Sequence, residues 1–167
     1  MSPVTGFSFT GEPPLAEAFA HLVEEYLASL PFSLGFQDVA GELADLPAAY
    51  GPPGGAAFLA IEGERSVGCV AIRPLGAGVA ELKRMYVVPE ARKRGHGRAL
   101  CEAAIAQARR LGYRRLRLDT VAEMEAAAHI YRALGFRPIA PYRENPLETA
   151  RFYELDLTSL PAPTERS

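Results

Sequence analysis

The chain has 167 residues, of which 49% are apolar and 23% charged, an ordinary globular balance and enough for one domain with its own core. A formal net charge of −2 leaves no broad positive surface for general nucleic-acid binding, so basic residues matter only where they cluster. No apolar run reaches the ~18–20 residues needed to span a bilayer, and no signal-like apolar core opens the chain. A cytoplasmic protein away from membranes is the expectation.

In chain order, residues 1–12 are short and mixed, with Phe7 and Phe9 alternating as in a brief strand. Pro13 and Pro14 suit a helix start. Leu15, Phe19, Leu22, Val23, Tyr26, Leu27 and Leu30 follow at helical spacing until Pro31 stops them. Phe32 to Gln37 is an aromatic stretch without a clear period, and Gly41 to Leu46 predicts a short second helix. Pro47 to Gly55 holds three prolines and three glycines and reads as a loop within one domain, because apolar runs flank it on both sides.

Ala56 to Ile61, Ser66 to Ile72 and Val79 to Val88 predict three successive strands, with turns at Glu62–Arg65 and Leu75–Gly78. Val67 to Ile72 is apolar at alternate and intervening positions alike, which predicts a central strand covered on both faces. Leu100 to Leu111 is a helix closed by Gly112, Leu116 and Leu118 mark a strand, and Glu123 to Leu134 is a helix closed by Gly135. Phe136 to Ile139 and Ala150 to Leu157 supply the last strands, and residues 161–167 are expected to fray. The whole is one α/β domain, 1–167, a mixed sheet layered with helices. Cys69 and Cys101 lack metal-ligand spacing and read as small core residues, so no metal is expected.

The stretch Pro89 to Arg98 stands between a β-branched run and a helical segment. Its glycines, Gly95 and Gly97, let consecutive N–H groups approach a bulky anion, and the helix behind adds its own unpaired N–H groups. Arg92, Lys93, Arg94 and Arg98 add formal charge. The pattern reads as a pyrophosphate seat, with a solvated basic turn as the plainer alternative. A P-loop is excluded because Arg98 and Ala99 follow Gly97. A dinucleotide fingerprint is excluded because Leu100 occupies the third glycine position.

Arg92-x-x-Gly95-x-Gly97, behind a strand ending Tyr86-Val87-Val88-Pro89, resembles the GNAT superfamily of acetyl-coenzyme A-dependent N-acetyltransferases. The superfamily's signature there is Arg/Gln-x-x-Gly-x-Gly/Ala, between its fourth strand and third helix. The resemblance continues through Gly112-Tyr113, Leu116 to Thr120 and Tyr131 to Phe136, and covers residues 55–157. It implies a mixed, mostly antiparallel sheet with a splayed centre, flanked by helices on both faces. It also implies acetyl-coenzyme A as co-substrate, its pyrophosphate on Arg92, Lys93, Arg94, Gly95, His96, Gly97 and Arg98. Backbone amides near Met85, Tyr86 and Val87 would serve the thioester oxygen and the pantetheine arm. His96, the variable position between the glycines, is expected to point to solvent.

Acyl transfer to an amine needs the ammonium proton removed, since a lysine-like amine has a pKa of ~10.4, whereas a thiol of pKa ~8.5 leaves more readily. The resemblance implies Glu81 as base, with a strand-end carboxylate paired to Lys83, Arg84 or solvent as the alternative. It implies Tyr131 as acid toward the coenzyme A sulfur, with a buried helix tyrosine as the alternative. His129 is a second-choice base, and Glu125 stands where many relatives carry an asparagine. Phe32, Phe36 and Gln37 fall on one expected acceptor wall, Tyr142, Arg143 and Asn145 on the other. Arg84 or Arg143 is suited to an acceptor carboxylate. The resulting expectation is an N-acetyltransferase acting on a small, amino acid-like primary amine by direct attack, since neither cysteine has a nearby histidine to activate it. A protein or peptide amine acceptor, or a catalytically silent acyl-coenzyme A sensor, is the alternative. No nucleic-acid or membrane partner is expected, and a homodimer is left open.

Overall fold

Side chains 67–72 are buried without interruption, so the strand that carries them is covered on both faces. In the computed structural model, which describes residues 3–32 and 39–158, that strand is β3 (Arg65–Gly76), third of seven. The others are β1 (Val4–Gly6), β2 (Ala56–Glu62), β4 (Val79–Val87), β5 (Arg115–Val121), β6 (Arg137–Pro138) and β7 (Ala150–Asp156). They lie in the order β1-β2-β3-β4-β5-β7-β6. Every neighbouring pair is antiparallel except β4 and β5, which are parallel.

Among the described residues five α-helices cover this sheet: α1 (Pro13–Ser29), α2 (Val39–Ala44), α3 (Leu46–Tyr50), α4 (His96–Arg110) and α5 (Glu125–Ala133). Strand alternation separates their faces. Tyr86 bonds Glu25 of α1, whereas Met85 and Val87 lie under Gly97 of α4. On one face α1 packs Phe19 against Tyr50 of α3. On the other, α4 buries Leu100, Cys101, Ala104, Ile105 and Ala108, a helical stripe.

Two features of β4 shape the centre. Its pairing with β5 covers only Val79–Glu81 against Arg115–Arg117, after which the strands part. Its pairing with β3 passes from Lys83 opposite Ala71 to Tyr86 opposite Cys69, so β4 carries one extra residue there. Arg84 sits in that bulge with φ of 58°, a left-handed value unusual for a residue with a side chain. Its guanidinium is held by both carboxylate oxygens of Glu42 on α2, at 2.8 and 3.0 Å, with each side chain at least nine-tenths buried. The splayed, mostly antiparallel sheet thus matches expectation.

Several local expectations need correction. The first strand ends at Gly6, and Phe7 and Phe9 instead turn their rings onto Phe19, at 5.7 and 5.8 Å. The single helix expected over Gly41–Leu46 is two, and α3 occupies part of the Pro47–Gly55 loop. Pro47 fits its first turn, where no intrahelical N–H is required, and Asp45 caps it by accepting from the Ala48 N–H. Helix α4 begins at His96, which places Gly97 inside its first turn. Phe36, Gln37 and the 161–167 tail lie outside the described residues.

Although burial by itself raises the Glu42 carboxyl, its hydrogen bonds to Arg84 and that residue's charge hold it below the ordinary range. The stabilisation is therefore fully present above the unfolded value near 4.3 and is lost as pH falls through the folded one. Glu42→Gln is expected to lower unfolding free energy at pH 7 by about 3 kcal/mol, the scale for breaking a buried ion pair. Urea titrations at pH 7 and below pH 4 check this: the gap between wild type and variant should narrow at the acid end.

Candidate functional site

Where β4 and β5 part, a cavity of about 60 Å³ opens between them. At ~10–15 Å³ per water position it holds four to six such positions, room for a small group rather than a whole ligand. Leu82, Lys83, Arg84 and Met85 line it from β4, and Leu118, Asp119, Thr120 and Val121 from β5. Tyr26 of α1 and Asn145 approach on the side of Glu81 and Lys83, while Tyr131 of α5 also reaches the cavity. Side chains from α1 and from α5 thus both line it.

Beyond Glu81, the β4 edge facing this gap has no ladder partner on β5, so strand backbone is left to meet a ligand. The end of β4 is fixed from three directions. Tyr86 donates to Glu25 at 2.7 Å, Arg92 Nε donates to the Val87 carbonyl at 2.9 Å, and the Arg92 guanidinium lies 5.8 Å from the Tyr86 ring centre. A 3-10 turn, Pro89–Ala91, then leads into the anion turn.

That turn has two left-handed residues, Lys93 (φ 64°) and Gly95 (φ 85°), and Gly95 is the N-cap of α4. Such a path curls backbone N–H groups into a concavity at the positive end of a 15-residue helix. The formal charges are deployed differently from expectation. Arg94 pairs with Glu62 at 2.7 Å, Arg98 with Glu102 at 2.8 Å, and Arg92 serves Val87 as described. His96 is not solvent-facing: it is buried, with Nε2 2.6 Å from Glu62 Oε1. A Cβ on Gly97 would lie 2.9 Å from Ile130 Cδ1 of α5, so the first turn of α4 also packs closely against that helix. What the turn presents inward is its backbone.

Glu81, expected to act as a base, is fully enclosed and fully engaged. Oε1 accepts from Arg73 at 2.9 Å, and Oε2 accepts from the Tyr142 hydroxyl at 2.7 Å and from Arg143. Burial alone raises this carboxyl, but Lys83, the Tyr142 hydrogen bond and both arginines outweigh it and hold it below the usual range. A carboxylate so satisfied is a poor proton acceptor. Through Tyr142 and Arg143 it fastens the segment before β7 to the sheet. Asn145 extends that fastening by donating to Asp119 at 3.2 Å.

Tyr131 is a buried helix tyrosine at the wall of the cavity. It is buried against Phe136 and Tyr153, and it lines the cavity. Among the described residues no hydrogen bond engages its hydroxyl. Burial raises its pKa well above the ordinary phenol value, which keeps it a proton donor. His129 and Glu125 are exposed, Glu125 pairing with Arg132 at 3.2 Å. Arg84 lines the cavity while its Nε and Nη2 are held by Glu42. Both cysteines are free and buried, and burial pushes their thiols up, that of Cys101 to about 12. Neither suits a nucleophile.

Sequence reasoning passed over Lys83 and Asp119, which face the cavity from opposite strands. The available signal was three charged residues, Glu81, Lys83 and Arg84, within an otherwise buried strand. Among the described residues no cluster of His, Cys, Asp or Glu could hold a metal, and no helix is long and apolar enough to cross a membrane.

The family described as Acetyltransferase (GNAT) family matches residues 19–136. An N-acetyltransferase of Schizosaccharomyces pombe, described as uncharacterised, is 36% identical over 148 residues, 87% of this chain and 91% of its own. The IAA acetyltransferase of Azospirillum brasilense is 34% identical over 143 residues, 81% of this chain and 90% of its own. Among solved structures, an acetyltransferase of Streptococcus agalactiae superposes with a TM-score of 0.74 at 22% identity, covering 93% of this chain and 98% of that one. A Salmonella typhimurium protein solved with its cofactor acetyl-CoA superposes at 0.67 and 18% identity, covering 99% of each. At these identities the structural likenesses speak for the fold.

Glu81→Gln keeps the shape but removes the charge that two guanidiniums share. The segment 142–147 is expected to loosen, with amide exchange there at least tenfold faster while the β2–β3 amides keep their protection. Hydrogen exchange read by mass spectrometry checks it.

Proposed function

This chain belongs to the GNAT acetyltransferase family, and from that premise we propose that it moves acetyl from acetyl-coenzyme A to the primary amine of a small, amino acid-like molecule by direct attack. The observation that carries the reading is the cavity between β4 and β5, which Tyr131 lines and which the bulged strand leaves with unladdered backbone. The residues fit the co-substrate. The Lys93–Arg98 backbone concavity suits a pyrophosphate, and the open β4 edge at Met85, Tyr86 and Val87 suits a pantetheine arm.

The bound thioester supplies an activated acetyl carbon with a thiolate leaving group. Backbone N–H groups of the β4 edge would hold its carbonyl oxygen. Tyr131, protonated at any working pH, would donate to the departing sulfur. The acceptor would enter from the face of α1 and α2, where Lys83, Asp119 and the Tyr142–Asn145 segment gather. The absence of a usable thiol supports direct attack over a covalent acetyl-enzyme.

Calorimetry with acetyl-coenzyme A, followed by thiol-release assays over amino acids, simple amines and peptides, tests the reading. Binding with turnover on an amino acid-like amine is the expected result, and a chain that binds no acetyl-coenzyme A contradicts it. Turnover confined to peptides would shift the acceptor class. Tyr131→Phe should lower kcat roughly tenfold, less than the 10²–10⁴ of full acid catalysis because a thiolate leaves readily, with cofactor affinity unchanged.

A further inference from the structure

With Glu81 pinned by three donors, the acceptor side of the cavity needs another group to take a proton. Lys83 stands two residues further along β4, on the same face, and is the last residue before the bulge pairs opposite β3. It is almost wholly buried, yet it lines the cavity together with Asp119 and Tyr131. A primary amine thus sits beside the place where the strands part, at the mouth assigned above to the acceptor. We infer that Lys83, as the neutral amine, takes the proton from the acceptor's ammonium, an assignment that rests on the acetyltransferase reading.

The groups around it set its protonation. Burial pushes the Lys83 ammonium down to about 8, against the opposing pull of Glu81 on the same strand. Arg84 and Arg73 of β3 push the same way as burial, and Asp119 of β5 pulls back with Glu81. Tyr26 from α1 and Tyr131 from α5 also line the cavity, and both phenols are held protonated by burial. At pH 7 such an amine is neutral roughly two hundredfold more often than an ordinary lysine of pKa ~10.4. That places it close to the working pH, where a general base is most effective. Asp119 across the gap would then face the ammonium that forms.

The step balances. The acceptor ammonium passes one proton to Lys83 Nζ and its freed lone pair forms the C–N bond to the acetyl carbon. The C–S bond breaks, and its electron pair leaves on the coenzyme A sulfur, which takes a proton from Tyr131 or water, while the nitrogen's second proton passes to water to leave the neutral amide and solvent restores any proton that Tyr131 gave. Lys83 then returns its proton to solvent.

Two measurements test this. The first needs no acceptor: titration of labelled lysine side chains by NMR, with the Lys83 signal identified by its loss in Lys83→Arg. A midpoint near 8 is expected, and one above 10 overturns the inference. The second is the pH dependence of kcat/KM with the best amine found. Lys83→Met should lose at least a hundredfold near neutrality, keep its acetyl-coenzyme A affinity within about twofold, and recover as pH nears the amine's own pKa. Lys83→Arg should remain impaired, since a guanidinium stays protonated. Rescue by arginine, or a wild-type profile in Lys83→Met, would overturn the role while leaving the acetyltransferase reading intact. Failure of the wild type to bind acetyl-coenzyme A would remove both.

Discussion

The ion pair between Arg84 and Glu42 is the constraint on which the rest of the site depends. A left-handed residue inside a strand costs on the order of 1–2 kcal/mol, and it persists only where its surroundings hold it. Here a buried bidentate carboxylate holds it, reaching across from α2 to the middle of β4. The extra residue changes the course of β4, which keeps its pairing with β3 on both sides of the bulge but abandons β5 after Glu81. The gap, its unladdered backbone and the access of Tyr131 all follow from that departure. A single buried pair thus couples a peripheral helix to the centre of the sheet.

The same economy of charge runs through the site. Most of its ionic side chains bind each other rather than wait for a ligand: Glu81 with Arg73 and Arg143, Glu62 with Arg94 and His96, Glu102 with Arg98. These pairs fix backbone, and the backbone presents the binding groups. Anion recognition through curled N–H groups is less exposed to salt than recognition through surface guanidiniums, because the donors are fixed in place. Lys83 and Asp119 also line the cavity.

Much of the fold was legible because burial writes itself into sequence. Val67–Ile72 announced a central strand, the Leu100–Ala108 stripe a helix on one face, and Gly95 the turn that α4 needs. The turn into α4 was legible as a spacing of glycines. Partners were not. Nothing near Glu81 in sequence says that Tyr142 and Arg143, some 60 positions on, close over it. His96 reads as an exposed loop residue until Glu62, 34 positions back, is seen beneath it. Gly97 was read for a ligand alone, and its closeness to Ile130 of α5 shows only in the fold. Pro47 suggested a loop, though a first helical turn accepts proline equally well. Contacts distant in sequence decide all these cases, and local pattern carries no trace of them.

The central claim is that the parting of β4 and β5 is the passage in which acetyl is handed from one face of the sheet to the other. A crystal structure with acetyl-coenzyme A bound tests it most directly. The account predicts the pyrophosphate on the Lys93–Arg98 backbone, the thioester oxygen on an N–H of Met85, Tyr86 or Val87, and the sulfur within hydrogen-bond reach of the Tyr131 hydroxyl. A thioester lying outside the gap, or β4 and β5 closing their ladder beyond Glu81 when the ligand binds, would contradict it.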